Sequence, residues 1–190
     1  MVEAPLFTVE PVGWHAPDAL PDALLITSAN AVRHGGAALA RLRNLPVHAV
    51  GAATAEAARD AGFTLVSIGS GDVNALLDSI EPAQRLLWLA GAERKAVRRD
   101  GLDAVVVYRT IPLKVQLPRL DGMVVAVHSA RAAARLAELA SERGACRIAA
   151  ISVDAAALAG AGWESVDVAP APTDAALLAL VARLCQMSAQ

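Results

Sequence analysis

Tyr108 is the only tyrosine in the 190-residue chain, and it follows three consecutive valines in the stretch DAVVVYRTIP. A phenol keeps its proton at neutral pH and can hand it to a leaving group, which makes a lone tyrosine beside polar residues a candidate general acid. It also has a purely structural reading, as a ring packed in a connecting strand with its hydroxyl hydrogen-bonded. Elsewhere, small hydroxyls, glycines and cations stand directly after apolar runs: Thr27, Ser28 and Asn30; Gly51 and Thr54; Gly91, Glu93, Arg94 and Lys95; Ser129 and Arg131; Ser152; Thr173 and Asp174. If those runs are parallel strands, these positions form the C-terminal sheet edges, where helix N-termini offer free N–H groups to anions. Each hydroxyl alone is a good helix cap. As a set they would line a polar cleft suited to carboxylates.

Other chemistries lack their residues. GSGDVN has Asn74, and GAGWES has Ser165, where a dinucleotide fingerprint needs its third glycine; neither GxxxxGK[ST] nor GxSxG occurs. The strand ends carry Thr, Ser, Gly and His, not the acidic cluster of a response regulator. Cys146 and Cys185 stand alone, and His15, His34, His48 and His128 are scattered, which indicates inert thiols and no metal site. Seventeen basic and nineteen acidic residues leave a net charge of −2, so no global field recruits nucleic acid or an anionic membrane. The local cluster AERKAVRRD reads as a solvated helix face. No apolar run reaches the roughly 18 residues of a membrane span, and MVEAPLFTVEP is no signal peptide. The expectation is a soluble cytoplasmic protein.

The elements that must position these residues alternate. PLFTVEPV is a short strand bounded by prolines; ALLIT, VHAV, TLVSIG, RLLWLAG and VVVYRT are strands; helices begin after Ser28, Gly51 and Asp72, and AERKAVRR is a short helix. Gly62 stops the second of these helices, and Gly35-Gly36 weakens the first. After Pro112 the cycle restarts with strand MVVAVH, a helix from Ser129 to Gly144, strand RIAAIS, helix DAAALAGAG, strand ESVDVAP and helix TDAALLALVARLC. In a chain that is 55% hydrophobic, apolar strands alternating with Ala-rich helices imply parallel α/β sheets.

The two passes are an internal repeat: Ser28 maps to Ser129 and Val50 to Ile151 at an offset of 101, Gly62-Phe63 to Gly162-Trp163 at 100, and Leu76-Leu77 to Leu177-Leu178 at 101. This divides the chain into a first α/β domain at 13–104, linker strands at 5–12 and 105–112, and a second α/β domain at 113–190. The second pass has no counterpart of RLLWLAG and its helix. The expectation is therefore that this domain lacks one strand and one helix, about 20 to 30 residues, at its N-terminal side, unless another chain supplies the strand.

The blocks LLITSANAV, HAVGAATAEAARDAGF, LLWLAGAERK, VVVYRT, AVHSARAA, AAIS, GW and APAPTDAALLALV, in that order across residues 5 to 184, resemble the uroporphyrinogen-III synthase family. Family members usually begin with a strand and helix that this chain lacks, and the segment AERKAVRRDGLD is shorter than usual. The resemblance implies two Rossmann-like or flavodoxin-like parallel-sheet domains joined by a two-stranded linker. It also implies a cofactor-free lyase of heme biosynthesis that cyclises the linear tetrapyrrole hydroxymethylbilane with inversion of ring D. On this resemblance Tyr108 assists departure of hydroxide. Ser28, Thr54, Ser129 and Thr173, with the amide at Gly51, hold carboxylates, and Arg94, Lys95 and Arg131 supply cations. Two other readings stay open: a synthase-like module that binds a tetrapyrrole or other polyacid without turnover, and an inactive truncated fragment.

Overall fold

The computed structural model describes residues 2–70, 72–94 and 96–187. The chain is a mixed α/β protein whose sheets are dominated by parallel strands. It packs as two compact units, Phe7–Pro112 and Met1–Leu6 with Leu113–Gln190.

In the Phe7–Pro112 unit the strands are β1 (Phe7–Pro11), β2 (Ala23–Ile26), β3 (Val47–Val50), β4 (Leu65–Gly69), β5 (Leu86–Gly91) and β6 (Leu102–Pro112). They form one sheet in the order β1-β6-β5-β2-β3-β4. All contacts are parallel except that of β1 with β6, which runs antiparallel from Phe7 opposite Pro112 to Pro11 opposite Tyr108. Edge position lets β1 carry Pro11 without losing a ladder bond on a second side. Successive residues of a strand face opposite ways, and β2, β3 and β5 are buried on both faces, hence their unbroken apolar character. Leu24, Ile26, Val47, Ala49, Leu87 and Leu89 pack on one side with Ala31 and Val32 of α1 (Ala29–His34) and Ala55 and Ala58 of α2 (Ala52–Asp60). Ala23, Leu25, Val50, Leu86, Trp88 and Ala90 pack on the other with Leu76 and Leu77 of α3 (Val73–Asp78). After α1, Gly36 takes φ 66° and the chain continues as a 3-10 helix, Ala37–Leu42.

The helix expected at AERKAVRR does not form: the described residues between β5 and β6 are non-helical. The connection is short, ten residues between Gly91 and Leu102, which leaves a helix of eight little chain for its turns. β6 starts at Leu102 beside Leu86, the first residue of β5. The connection must therefore retrace six residues of strand, about 20 Å, whereas an eight-residue helix advances only about 12 Å. The described residues of the connection are anchored along its length: Arg94 lies 5.6 Å over the Trp88 ring, Val97 joins the apolar cluster, and Arg99 donates to the carbonyls of Glu81 and Gln84.

The other unit holds a three-stranded parallel sheet in the order β7 (Val124–Val127), β8 (Arg147–Ala150), β9 (Ser165–Val168). Its helices are α4 (Ala130–Leu139), α5 (Val153–Ala159) and α6 (Asp174–Met187). α4 ends at Leu139, not at Gly144 as its composition suggests. Ala140 turns extended, and the Arg143 guanidinium reaches back to the Ala137 carbonyl, capping the terminus from outside the helix.

The repeat recurs in three dimensions. Arg43 stacks on Phe63 at 6.0 Å, and Arg143 on Trp163 at 5.1 Å, each beside a glycine in the left-handed region, Gly62 at φ 82° and Gly162 at φ 95°. The correspondence breaks at the sheet edge. β2 lies between β3 and β5, whereas its counterpart β7 pairs with β8 alone among the described residues. Leu77 is 5% exposed; its counterpart Leu178 is 53% exposed.

Candidate functional site

The sheet order of the Phe7–Pro112 unit brings Tyr108 of β6, Gly91 of β5, Thr27 and Ser28 after β2, and Gly51 after β3 onto one C-terminal edge. With strands about 4.8 Å apart, that row runs about 14 Å from Tyr108 to Gly51. Ser28 caps α1, its Oγ accepting from Asn30 N at 3.2 Å. The Trp88 indole N–H donates to Thr27 Oγ1 at 3.0 Å, fixing the hydroxyl at the strand end. Gly51 caps α2 without a side chain at φ 84°, a backbone shape that any L-residue resists, so its first amides are not blocked by a capping oxygen. Thr54 sits in the first turn of α2 and is only 6% exposed; it is part of the helix, not its cap. Arg94 donates to the Gly91 carbonyl at 3.4 Å while stacked on Trp88. Lys95 lies outside the described residues.

Tyr108 reaches this edge through an irregularity. Ala90 pairs with Val106 and Gly91 with Tyr108, so Val107 is an extra residue opposite no partner in β5. Strict alternation would put Tyr108 on the face opposite Val107. The bulge instead sends both side chains to the same apolar cluster, where Val107 is fully buried and Tyr108 half-buried. Backbone bonds hold the bulge from both sides: Val12 N donates to Val107 O at 3.0 Å and Ala92 N to Tyr108 O at 2.9 Å. No sequence signal marks this bulge, because it is a property of pairing.

In the second unit, Ser129, Ser152 and Thr173 cap α4, α5 and α6, accepting from Ala132 N at 3.1 Å, Ala155 N at 3.2 Å and Ala176 N at 3.3 Å. All three stand at the C-terminal side of the three-stranded sheet. Arg131 is exposed on the first turn of α4. His128 Nε2 lies 3.7 Å from an Asp174 carboxylate oxygen at the same end of the sheet.

Two titratable groups sit away from these edges. His48, on β3, is 7% exposed; its Nδ1 lies 2.7 Å from Ser67 Oγ, and its Nε2 makes no hydrogen bond of good geometry among the described residues. Burial lowers its pKa, the Gln84 side chain partly opposes this, and the charge of Arg99 adds to it. Burial pushes the Cys146 thiol up to about 11, with Glu164 and Asp121 adding to the effect. Among the described residues no three His, Cys, Asp or Glu side chains come together as a metal site, and no helix is long and apolar enough to cross a membrane. A hollow of about 360 Å³ between α1 and α2 and one of about 290 Å³ beside α3 include none of the edge residues in their linings.

The fold has counterparts among solved structures. The crystal structure of uroporphyrinogen-III synthetase from Helicobacter pylori 26695 superposes with a TM-score of 0.75 at 18% identity, covering 94% of this chain and 91% of that one. A mutant uroporphyrinogen III synthase from the extremely thermophilic bacterium Thermus thermophilus gives a TM-score of 0.56 at 18% identity, covering 96% and 88%. A search of curated protein sequences returns no match. At such identities the solved structures establish the fold, while the family rests on the sequence: the model described as uroporphyrinogen-III synthase HemD matches residues 1–179. The chain belongs to the uroporphyrinogen-III synthase family.

Proposed function

We propose that this chain closes hydroxymethylbilane into uroporphyrinogen III, with Tyr108 as the proton donor. The observation that carries the assignment to Tyr108 is its place: the bulge at Val107 brings the chain's only phenol to the C-terminal edge beside Gly91, in one row with Ser28 and the amides after Gly51. The phenol gives its proton to the departing hydroxyl, which leaves as water, and an azafulvenium cation remains. The substituted carbon of ring D then attacks it to give a spiro intermediate, which fragments and recloses with ring D inverted, and the proton released as the last ring rearomatises restores the phenol. Unaided closure keeps ring D uninverted, so the protein must control geometry as well as protonation. Within the Phe7–Pro112 unit, Ser28 and the amides after Gly51, backed by the buried Thr54, take carboxylate groups and Arg94 adds positive charge; within the other unit Ser129 and Thr173 with neighbouring amides do the same with Arg131. Water-soluble substrate and product fit a cytoplasmic location.

Tyr108→Phe tests the assignment, because it keeps the ring and removes the donor. General acid assistance is worth about 10²- to 10⁴-fold, and an electron-rich pyrrole expels hydroxide readily, so kcat for uroporphyrinogen III should fall about 10²-fold with little change in KM. Unchanged kcat in the variant would make Tyr108 a structural residue. Binding of the tetrapyrrole by the unmutated protein with only the uninverted product formed would make the protein a binding module.

A further inference from the structure

The face of Gly91 is occupied by Tyr108. A Cβ at Gly91 would stand 2.7 Å from Tyr108 Cζ, 2.8 Å from the hydroxyl oxygen and 3.0 Å from Cε2. Gly91 is absent from the glycines with positive φ, so a left-handed backbone does not bar alanine there, and the three atoms nearest to such a Cβ all belong to the Tyr108 side chain. Gly51, along the same edge, is the reverse case: nothing stands within 4 Å of its Cβ position, and its φ of 84° is the constraint. Nor can the backbone of Tyr108 yield easily, since Ala92 N and Val12 N hold it and the preceding bulge residue from both neighbouring segments.

We infer that Gly91, together with the bulge residue Val107, is a positioning device for the Tyr108 hydroxyl. The inference rests on the role proposed above for Tyr108. The bulge sets which face of the sheet the ring leaves from, and the missing side chain at Gly91 lets the ring lie across β5 toward the sheet edge. Contact between carbon atoms is comfortable at about 3.5–4.0 Å, so a Cβ at Gly91 moves the ring by about 1 Å. A misplacement of that size lowers a rate about 10²-fold when the group acts at the reacting centre.

The test is a double-mutant cycle of Gly91→Ala and Tyr108→Phe, read as kcat and KM for uroporphyrinogen III. Gly91→Ala should lower kcat about 10- to 10²-fold with KM changed less than about threefold, and the double variant should be no slower than Tyr108→Phe by more than about twofold. If Tyr108→Phe keeps its full rate, the role of the phenol fails, whatever Gly91→Ala does. If Tyr108→Phe is slow but Gly91→Ala is not, or if the two losses multiply, the phenol acts without Gly91 and the positioning inference is overturned. Thermal unfolding supplies a readout independent of activity. Gly91→Ala should lower the midpoint by several degrees with Tyr108 present and leave it unchanged in a Tyr108→Ala background; an equal loss in both overturns the inference. Should Gly91→Ala alone fail to fold, the Gly91→Ala/Tyr108→Ala protein must still fold, because the nearest obstacles to the new Cβ are gone; failure of both overturns it as well.

Discussion

Leu177→Ala and Leu178→Ala, made separately, measure whether the flank of β7 is open in solution. The two residues correspond to Leu76 and Leu77, which are both 5% exposed and packed with Leu86, Trp88 and Ala90 of β5. Leu177 is fully buried with Leu180 and Leu184, but Leu178 is 53% exposed, in a sheet that has no strand in β5's place among the described residues. Truncating leucine to alanine removes three carbons, about 2.4 kcal/mol at about 0.8 per methylene. At Leu177 the residual cavity adds a volume-dependent term, for a total of about 3–4 kcal/mol. At Leu178 about half the transfer term applies and solvent fills the space, so the loss is about 1 kcal/mol. The two units need not unfold together, so the suitable assay is native-state exchange of the Ile148 and Ala149 amides, which lie in the central strand of the three-stranded sheet. Leu177→Ala should accelerate their exchange by about a hundredfold more than Leu178→Ala, at about 1.4 kcal/mol per decade. Equal acceleration would mean that Leu178 is covered in solution, and the reasoning from the open flank would be wrong.

Two further outcomes follow from buried titratable groups. His48 has a folded-state pKa below its ordinary 6.5, so the folded chain prefers the neutral ring. Its contribution to stability is complete above pH 6.5 and falls as the pH drops through that value, levelling off below the folded-state pKa. Thermal midpoints between pH 7.5 and pH 5, roughly spanning this window, should fall more for the unmutated chain than for His48→Gln; parallel curves would refute the assignment. Cys146 is buried with its thiol pushed up to about 11, whereas Cys185 is exposed on α6. An aromatic disulfide reagent should therefore titrate one thiol in the native protein and a second only on unfolding, and two native thiols reacting at one rate would contradict the packing around Cys146.

Features that depend on near neighbours in the chain were legible without coordinates. Unbroken apolar runs such as ALLI and LLWLAG, short and bounded by turn residues, fit strands buried on both faces, and Ser28, Asp72, Ser129 and Ser152 mark helix starts because a capping oxygen bonds an amide two or three residues on. The recurrence of a glycine-aromatic pair after each second helix exposed the duplication, because both turns need a left-handed residue followed by a core anchor. The tertiary structure decided what depends on distant partners. Arg143, held by the Ala161 carbonyl and the Trp163 ring, closes the end of α4, and the non-helical connection from β5 to β6 goes with the distance to be retraced. The face that Tyr108 occupies is set by one unpaired residue, Val107. A bulge exists only relative to the neighbouring strand, and β5 must lie beside β6 before Gly91 can meet a ring seventeen residues further along the chain.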